Sequence, residues 1–378
     1  MKNSIIRFMI VIFSVFICSS LLSGSPVDKE ASFKVQKGDF LEVSIMQGNI
    51  TVSTWDKGEI KIIARNIDED ETNLLTMEQK SSKVEVRFKG ENSNRFLLEL
   101  TIPAELNIDF STGGGNITIN NDLHGKTDIS SGGGNIFTKN INGKADISTG
   151  GGNINIGDIN GDADVSTAGG DIQIGTVNGM ADISTAGGNI KVGSINSSAD
   201  ISTAGGNINV GTVGGRADIS TAGGNINVGT ISGSADVSSA GGNINLDGAT
   251  GKVEASTGAG NLNLKNIQGS IEASTGAGNI TAELSPDGKN KSELNSAVGN
   301  ITLYVPESAN ATIVAIVSIM GWGISDNEDD NIKSEFKQSN INENKEDREL
   351  EATYVLNGGG SRIELNVAMG KIIIKKLK

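Results

Sequence analysis

The stretch ADISTAGGNIKVGSINSS at Ala181–Ser198 is followed by ADISTAGGNINVGTVGGR at Ala199–Arg216 and by ADISTAGGNINVGTISGS at Ala217–Ser234. The Asn of each AGGN phrase has equivalents spaced by 19 residues once and by 18 residues eight times, at Asn116, Asn135, Asn153, Asp171, Asn189, Asn207, Asn225, Asn243, Asn261 and Asn279. Self-similarity at a fixed period of this kind is typical of a solenoid, whose repeats pack only on their neighbours.

One repeat, or rung, reads as two short strands when side chains are assigned alternately to the two faces of a strand. This alternation predicts a small buried set in the rung that begins at Ala181, namely Ala181, Ile183, Ile190, Val192 and Ile195. We expect the glycine pair between the strands to supply the positive φ angles of a tight corner. The fold class predicted is all-β, a parallel β-solenoid of about 18-residue rungs with β-strand caps at both ends. The pattern leaves a two-sided and a triangular cross-section open.

Composition divides the chain into an array and two flanking regions. No aromatic residue occurs between Thr138 and Leu303, which predicts a thin aliphatic core there. We expect an N-terminal β cap at 26–110, the array at 111–303 and a C-terminal β cap at 304–378. The phrase QGNITV at 47–52 already resembles a rung, and the segment 358–376 is expected to close the stack. Residues 326–351 are acidic and poor in apolar residues, which predicts a disordered excursion.

Residues 1–25 have the layout of a secretory signal, with Lys2 and Arg7 ahead of an apolar run. Cleavage and retention as a membrane anchor both remain open, and the single cysteine, Cys18, lies within this segment. Export predicts a location in the periplasm or at the cell surface. The formal charge of −14 argues against nucleic acid and against docking on anionic lipid, so membrane contact is expected only through an uncleaved N-terminus.

Two outward-facing columns follow from the same alternation. One carries paired Asn residues, and we take six of them as candidate binding residues: Asn207, Asn209, Asn225, Asn227, Asn243 and Asn245. They are expected to stack as an amide ladder, and they also offer a flat hydrogen-bonding face suited to carbohydrate. The other column carries Asp and Glu; we interpret it as a solvated acidic face, with weak calcium binding as the alternative. Regular polar rows also occur in ice-binding proteins, but these hold Asn and Ser more than Thr.

No catalytic residue, metal ligand or cofactor is predicted. The GGGN and AGGN phrases lack the following helix and the GK[ST] sequence of a phosphate-binding loop. His124, the only histidine, lies in a predicted turn without a partner site.

Several segments resemble a bacterial family known as the putative adhesin family, a domain of unknown function with β-strand repeats. They are FKVQKGDFLEVSIMQGNITVSTWD, ELTIPAELNIDFSTGGGNI, the iterated STAGGNI and the closing SRIELNVAMGKIII. The resemblance covers about Phe33 to Lys378. The resemblance implies a surface or periplasmic solenoid and transfers no catalytic residue.

The sequence thus predicts an exported, non-enzymatic β-solenoid with an adhesive or structural role at the cell envelope, binding glycan or a surface protein. An extracellular polysaccharide-active enzyme on a β-helix scaffold is the alternative. Such enzymes need residues that break the repeat, whereas the rungs here are nearly interchangeable.

Overall fold

A computed structural model describes residues 26–90, 95–318, 331–344 and 349–377, and the chain divides into two compact units, Met1–Lys139 and Asn140–Lys378. The predicted signal or anchor at 1–25 lies outside the described residues. No helix in the described ranges is long and apolar enough to cross a bilayer.

The N-terminal unit has one short 3₁₀ helix, Glu69–Leu74, among its described elements. Its strands are β1 Val27–Lys34, β2 Phe40–Ile45, β3 Asn49–Trp55, β4 Glu59–Ile67, β5 Leu75–Lys80, β6 Lys83–Phe88, β7 Leu97–Pro103, β8 Asn107–Thr112, β9 Ile117–Ile119, β10 Thr127–Ser131 and β11 Ile136–Thr138.

These strands form two sheets, in the orders β1-β4-β7-β3-β9-β11 and β5-β6-β2-β8-β10. The core between them holds Phe88, Phe96 and Phe110, and the rings of Phe88 and Phe96 stack at 4.2 Å. The QGNITV phrase does form part of a rung, because Ile50 pairs in parallel with Ile117.

The second unit, Asn140–Lys378, is called the repeat unit below. Its strands are β12 Ala145–Thr149, β13 Ile154–Ile156, β14 Ala163–Thr167, β15 Ile172–Val177, β16 Ala181–Thr185, β17 Ile190–Ile195, β18 Ala199–Thr203, β19 Ile208–Val213, β20 Ala217–Thr221, β21 Ile226–Ile231, β22 Ala235–Ser239, β23 Ile244–Ala249, β24 Val253–Thr257, β25 Leu262–Gly269, β26 Ile271–Ala277, β27 Ile280–Pro286, β28 Ser292–Val298, β29 Ile301–Pro306, β30 Ala311–Ser318, β31 Ile332–Ser334, β32 Asn340–Asn344, β33 Glu349–Leu356, β34 Ser361–Met369 and β35 Ile372–Leu377.

Each rung contributes one strand to each of two sheets, and the strands of successive rungs run parallel within each sheet. Pairing is in register along the repeats, so that Ala181 faces Ala199 in one sheet and Ile190 faces Ile208 in the other. Equivalent side chains therefore repeat at the inter-strand spacing of about 4.8 Å. The five residues predicted to be buried in the Ala181 rung all are, with at most 3% exposure. The predicted parallel β-solenoid is confirmed.

The C-terminal end of the repeat unit differs from expectation. Strand β34 lies between β28 and β30 in one sheet. Strand β35 lies between β29 and β31 in the other sheet. The segment 358–376 is thus inserted into the stack instead of closing it. The N-terminal unit has the same arrangement, since β2 lies between β6 and β8, and β3 between β7 and β9.

The acidic segment 326–351 also contains strands in its described part. β32 pairs antiparallel with β33, which itself pairs antiparallel with β30. The polar sequence of β32 can form this outer strand because backbone hydrogen bonds to a preformed sheet need no apolar side chains.

The inward face of each rung includes a hydroxyl residue that the predicted buried set left out. Thr203 is 5% exposed, and its Oγ1 donates to the carbonyl of Gly188 in the preceding rung at 2.9 Å. The same oxygen accepts the N–H of Gly206 at 3.2 Å. Both bonds recur at Thr167, Thr185, Thr221, Ser239 and Thr257. The hydroxyl column therefore ties each corner to its own rung and to the one before.

The expectation of positive φ at the paired glycines is wrong. Gly188, Gly206 and Gly224 lie outside the left-handed region, but a Cβ added to any of them would lie 1.9 Å from a carbonyl oxygen of the preceding rung. Glycine is required here because the corners of successive rungs approach each other too closely for any side chain.

Candidate functional site: the amide face

Two rows of polar side chains cover the outer surface of the sheet that contains β17, β19 and β21, and we call this surface the amide face. The first row is Asn153, Asp171, Asn189, Asn207, Asn225, Asn243, Asn261, Asn279 and Asn300; the second row is Asn155, Gln173, Lys191, Asn209, Asn227, Asn245 and Asn263. The structure thus brings the six predicted binding residues together in two adjacent rows.

The first row is a directional hydrogen-bond ladder. The Asn189 Oδ1 accepts the backbone N–H of Asn207 at 2.9 Å and its Nδ2–H at 3.1 Å. Asp171 fits the same ladder, since its Oδ1 accepts the N–H of Asn189 at 2.7 Å. Only an acceptor oxygen is needed at each position, so the side chains of this row serve mainly to hold backbone groups of the next rung.

The second row makes a different contact. Asn227 donates through Nδ2 to the Oδ1 of Asn209 at 2.9 Å, and Asn245 donates to Asn227 at 2.8 Å. These amides bond one another and no backbone group, and they are more dispensable for folding than the first row. Each amide has more donors and acceptors than one such contact uses, so the second row can bond a ligand from solvent.

The outer surface of the other sheet carries an acidic column. It comprises Asp146, Asp164, Asp182, Asp200, Asp218, Asp236, Glu254, Glu272, Glu293 and Glu364, paired in register. Cations compensate its C-terminal part: Lys252 bridges Glu254 at 2.6 Å and Glu272 at 2.9 Å.

The negative charges in the middle of the column have fewer cations near them. Partial burial, followed by the negative charges of Asp164 and Asp200, raises the pKa of Asp182 above its usual range. Partial burial, followed by Asp218 and Glu254, likewise raises the pKa of Asp236.

Asp182→Asn is therefore expected to stabilise the protein at neutral pH. A raised carboxyl pKa means that the folded state binds the proton more tightly than the unfolded state, so stability falls as pH rises through that pKa. Because Asp182 is exposed and its charge is screened by solvent, removing that charge is expected to raise the free energy of unfolding at pH 7 by only about 0.2–0.5 kcal/mol. The gain should vanish below the unperturbed pKa of about 3.9, where the wild-type carboxyl is already neutral.

Thermal midpoints of the two proteins at neutral and acid pH measure this effect. Glu254→Gln in the same column is the control, because it removes a carboxylate that Lys252 already pairs with. An equal stabilisation by both variants would contradict the interpretation.

A shallow groove of 890 Å³ runs beside the acidic column. It is lined by serine, threonine and alanine side chains: Thr167, Ser184, Thr185, Ala186, Ser202, Thr203, Ala204, Ser220, Thr221, Ala222, Ser238, Ser239 and Ala240. None of these residues can act as a carboxylic acid or base. The carboxylates nearest to this groove are those of the acidic column, where Asp182 lies two residues before Ser184.

Within the described ranges, no group of three or more His, Cys, Asp or Glu residues is arranged to hold a metal ion. His124 is exposed, and its backbone N–H donates to the carbonyl of Ala104 at 2.7 Å.

No family model matches the chain, and no curated protein matches it. Similar solved structures include a putative adhesin from Parabacteroides merdae, with 16% identity, 68% of this chain and 95% of that chain covered, and a TM-score of 0.29. A putative adhesin from Bacteroides fragilis has 12% identity and a TM-score of 0.23, and the match covers 93% of this chain and 97% of that chain. A putative lipid binding protein from Parabacteroides distasonis has 13% identity and a TM-score of 0.21, and the match covers 93% of this chain and 97% of that chain.

Proposed function

We propose that this chain is an exported, non-enzymatic binding protein of the cell envelope, and that the amide face holds glycan. The observation that carries the proposal is the second row, whose amides at Asn209, Asn227 and Asn245 bond only one another and remain open to solvent. Primary amides donate and accept, as sugar hydroxyls do, so each rung offers the same pair of contacts to a polymer lying along the face.

The repetition suits binding better than catalysis. A single exposed amide contact contributes little, about 0.5–1.5 kcal/mol net for a typical hydrogen bond. Equivalent contacts on successive rungs add when one polymer engages several of them. Export rests on the apolar segment at 1–25, and a location in the periplasm or at the cell surface remains part of the proposal.

The test measures retention of the purified protein on immobilised cell-wall and host-type polysaccharides, together with release of soluble sugar. The combined Asn209→Ala, Asn227→Ala and Asn245→Ala variant is expected to lose at least about tenfold in retention, because three neighbouring contacts disappear. Ser202→Ala, Ser220→Ala and Ser238→Ala together form the matched control on the groove of the other sheet, and retention should be unchanged. Sugar release by the wild type, or equal retention of both variants, would refute the proposal.

A further inference from the structure

Cations on the two outer surfaces of the repeat unit are used differently. On the acidic column, besides the Lys252 bridge, Lys291 pairs with Glu364 at 2.6 Å and Arg362 pairs with the same carboxylate at 2.5 Å. These cations are engaged by protein carboxylates and are not available to a ligand.

The amide face also carries lysines, of which Lys265 is paired with Asp247 at 3.4 Å. Lys191 lies in the second row, while Lys371 continues the first row, because its backbone N–H donates to the Asn300 Oδ1 at 2.9 Å. Lys375 lies four residues further along the chain, in β35, and faces Tyr304, with its Nζ 5.6 Å from the ring centroid. Among the described residues, no carboxylate lies within ion-pair distance of Lys191, Lys371 or Lys375.

Negative charge is thus divided unevenly between the two surfaces. The first and second rows, from Asn153 to Lys371, hold one carboxylate, at Asp171, against the ammonium groups of Lys191 and Lys371. The row of Lys375 holds carboxylates at Asp247, which pairs with Lys265, and at Glu283. The opposite sheet carries the acidic column. In a chain with a formal charge of −14, an anionic polymer meets less repulsion on the amide face than on the acidic column.

We propose that the amide face binds an anionic polysaccharide, an inference that rests on the proposed glycan-binding function. Hydroxyl groups of the polymer bond the second-row amides, and its acidic groups pair with Lys371 and Lys375 at the C-terminal end of the face. The acidic column repels the same polymer from the other sheet, so one surface of the repeat unit is selected. The lysine pair also sets the polymer's preferred position along the rows, since the amides alone repeat without distinction.

Binding to polygalacturonate and to its fully methyl-esterified form separates charge from sugar recognition, because the two polymers share one backbone. Wild-type protein is expected to bind polygalacturonate more tightly, and the difference should shrink as salt is raised. The combined Lys371→Gln and Lys375→Gln variant is expected to bind polygalacturonate about tenfold more weakly and the methyl ester unchanged. Lys252→Gln is the matched control on the acidic column and should bind both polymers as the wild type does.

The outcomes distinguish the two levels of the proposal. Binding to neither polymer, nor to any other glycan, would refute glycan binding itself. Equal affinity for the two polymers, unaffected by the lysine substitutions, would overturn the anionic specificity while leaving glycan binding in place. Poly-glutamate bound as tightly as polygalacturonate would overturn the assignment to polysaccharide, and an equal loss in Lys252→Gln would overturn the location on the amide face.

Discussion

Gly206→Ala is expected to destabilise the repeat unit by at least about 3 kcal/mol. The added Cβ would lie 1.9 Å from the carbonyl oxygen of Gly188, a contact that only backbone displacement can relieve. That displacement opens the spacing between two rungs and weakens the bonds that join them, including the one from the Ile190 N–H to the carbonyl of Asn207 at 2.9 Å. A lower thermal midpoint and faster amide exchange at Ile190 are the measurements.

The neighbouring glycine provides the control. A Cβ on Gly205 would lie 3.3 Å from the carbonyl of Gly187, which is tight but within reach of small adjustments. Gly205→Ala also reduces the freedom of the unfolded chain, so the net change in stability is expected to stay within about 1 kcal/mol. Equal losses from the two substitutions would show that corner flexibility, and not close approach between rungs, requires glycine at these positions.

Thr203→Val is expected to cost roughly 2 kcal/mol or more, although the side chain keeps its shape. Valine removes the donor to the Gly188 carbonyl and the acceptor for the Gly206 N–H, and both lie at a buried corner. Thr203→Ser retains the hydroxyl and loses one methyl group, at a cost of about 1 kcal/mol.

Serine is a suitable control because the chain uses it at this position. Ser239 donates to the Gly224 carbonyl at 3.0 Å and accepts the Gly242 N–H at 2.9 Å. Amide exchange at Gly206 should accelerate in Thr203→Val and not in Thr203→Ser. Identical behaviour of the two variants would mean that packing of the methyl group, and not the hydroxyl, holds the corner.

The repeat period and strand alternation were sufficient to predict the fold and the apolar core. Both patterns are local in the sequence. Identical residues at a fixed period are explained by parallel strands that stack in register, with one rung above the next. The predicted buried set omits Thr185, which is 5% exposed and which alternation places beside Ile183 on the inward side. The signal was available: the same position holds Ser131 and Ser239, which keep a hydroxyl while varying in size.

The direction of the amide ladder could not be read from the asparagines alone, since side-chain amides can bond either one another or the backbone. Asp171 indicates the direction, because a carboxylate in a row of amides can only accept hydrogen bonds. The insertion of β34 and β35 within the stack depends on pairing between distant segments, for which neither period nor alternation gives any sign. Likewise, free and paired lysines look alike in the sequence, because their difference depends on which sheet each strand joins.

That insertion changes how the repeat unit can come apart. A terminal rung in an ordinary stack frays by breaking one interface, so unravelling proceeds stepwise from the free end. Here the last strands of the chain are held on both sides, and releasing them requires two interfaces to open together. Strands β34 and β35 are therefore held inside the stack. The rate at which they detach is set by the barrier to opening the stack on both sides and not by gradual fraying.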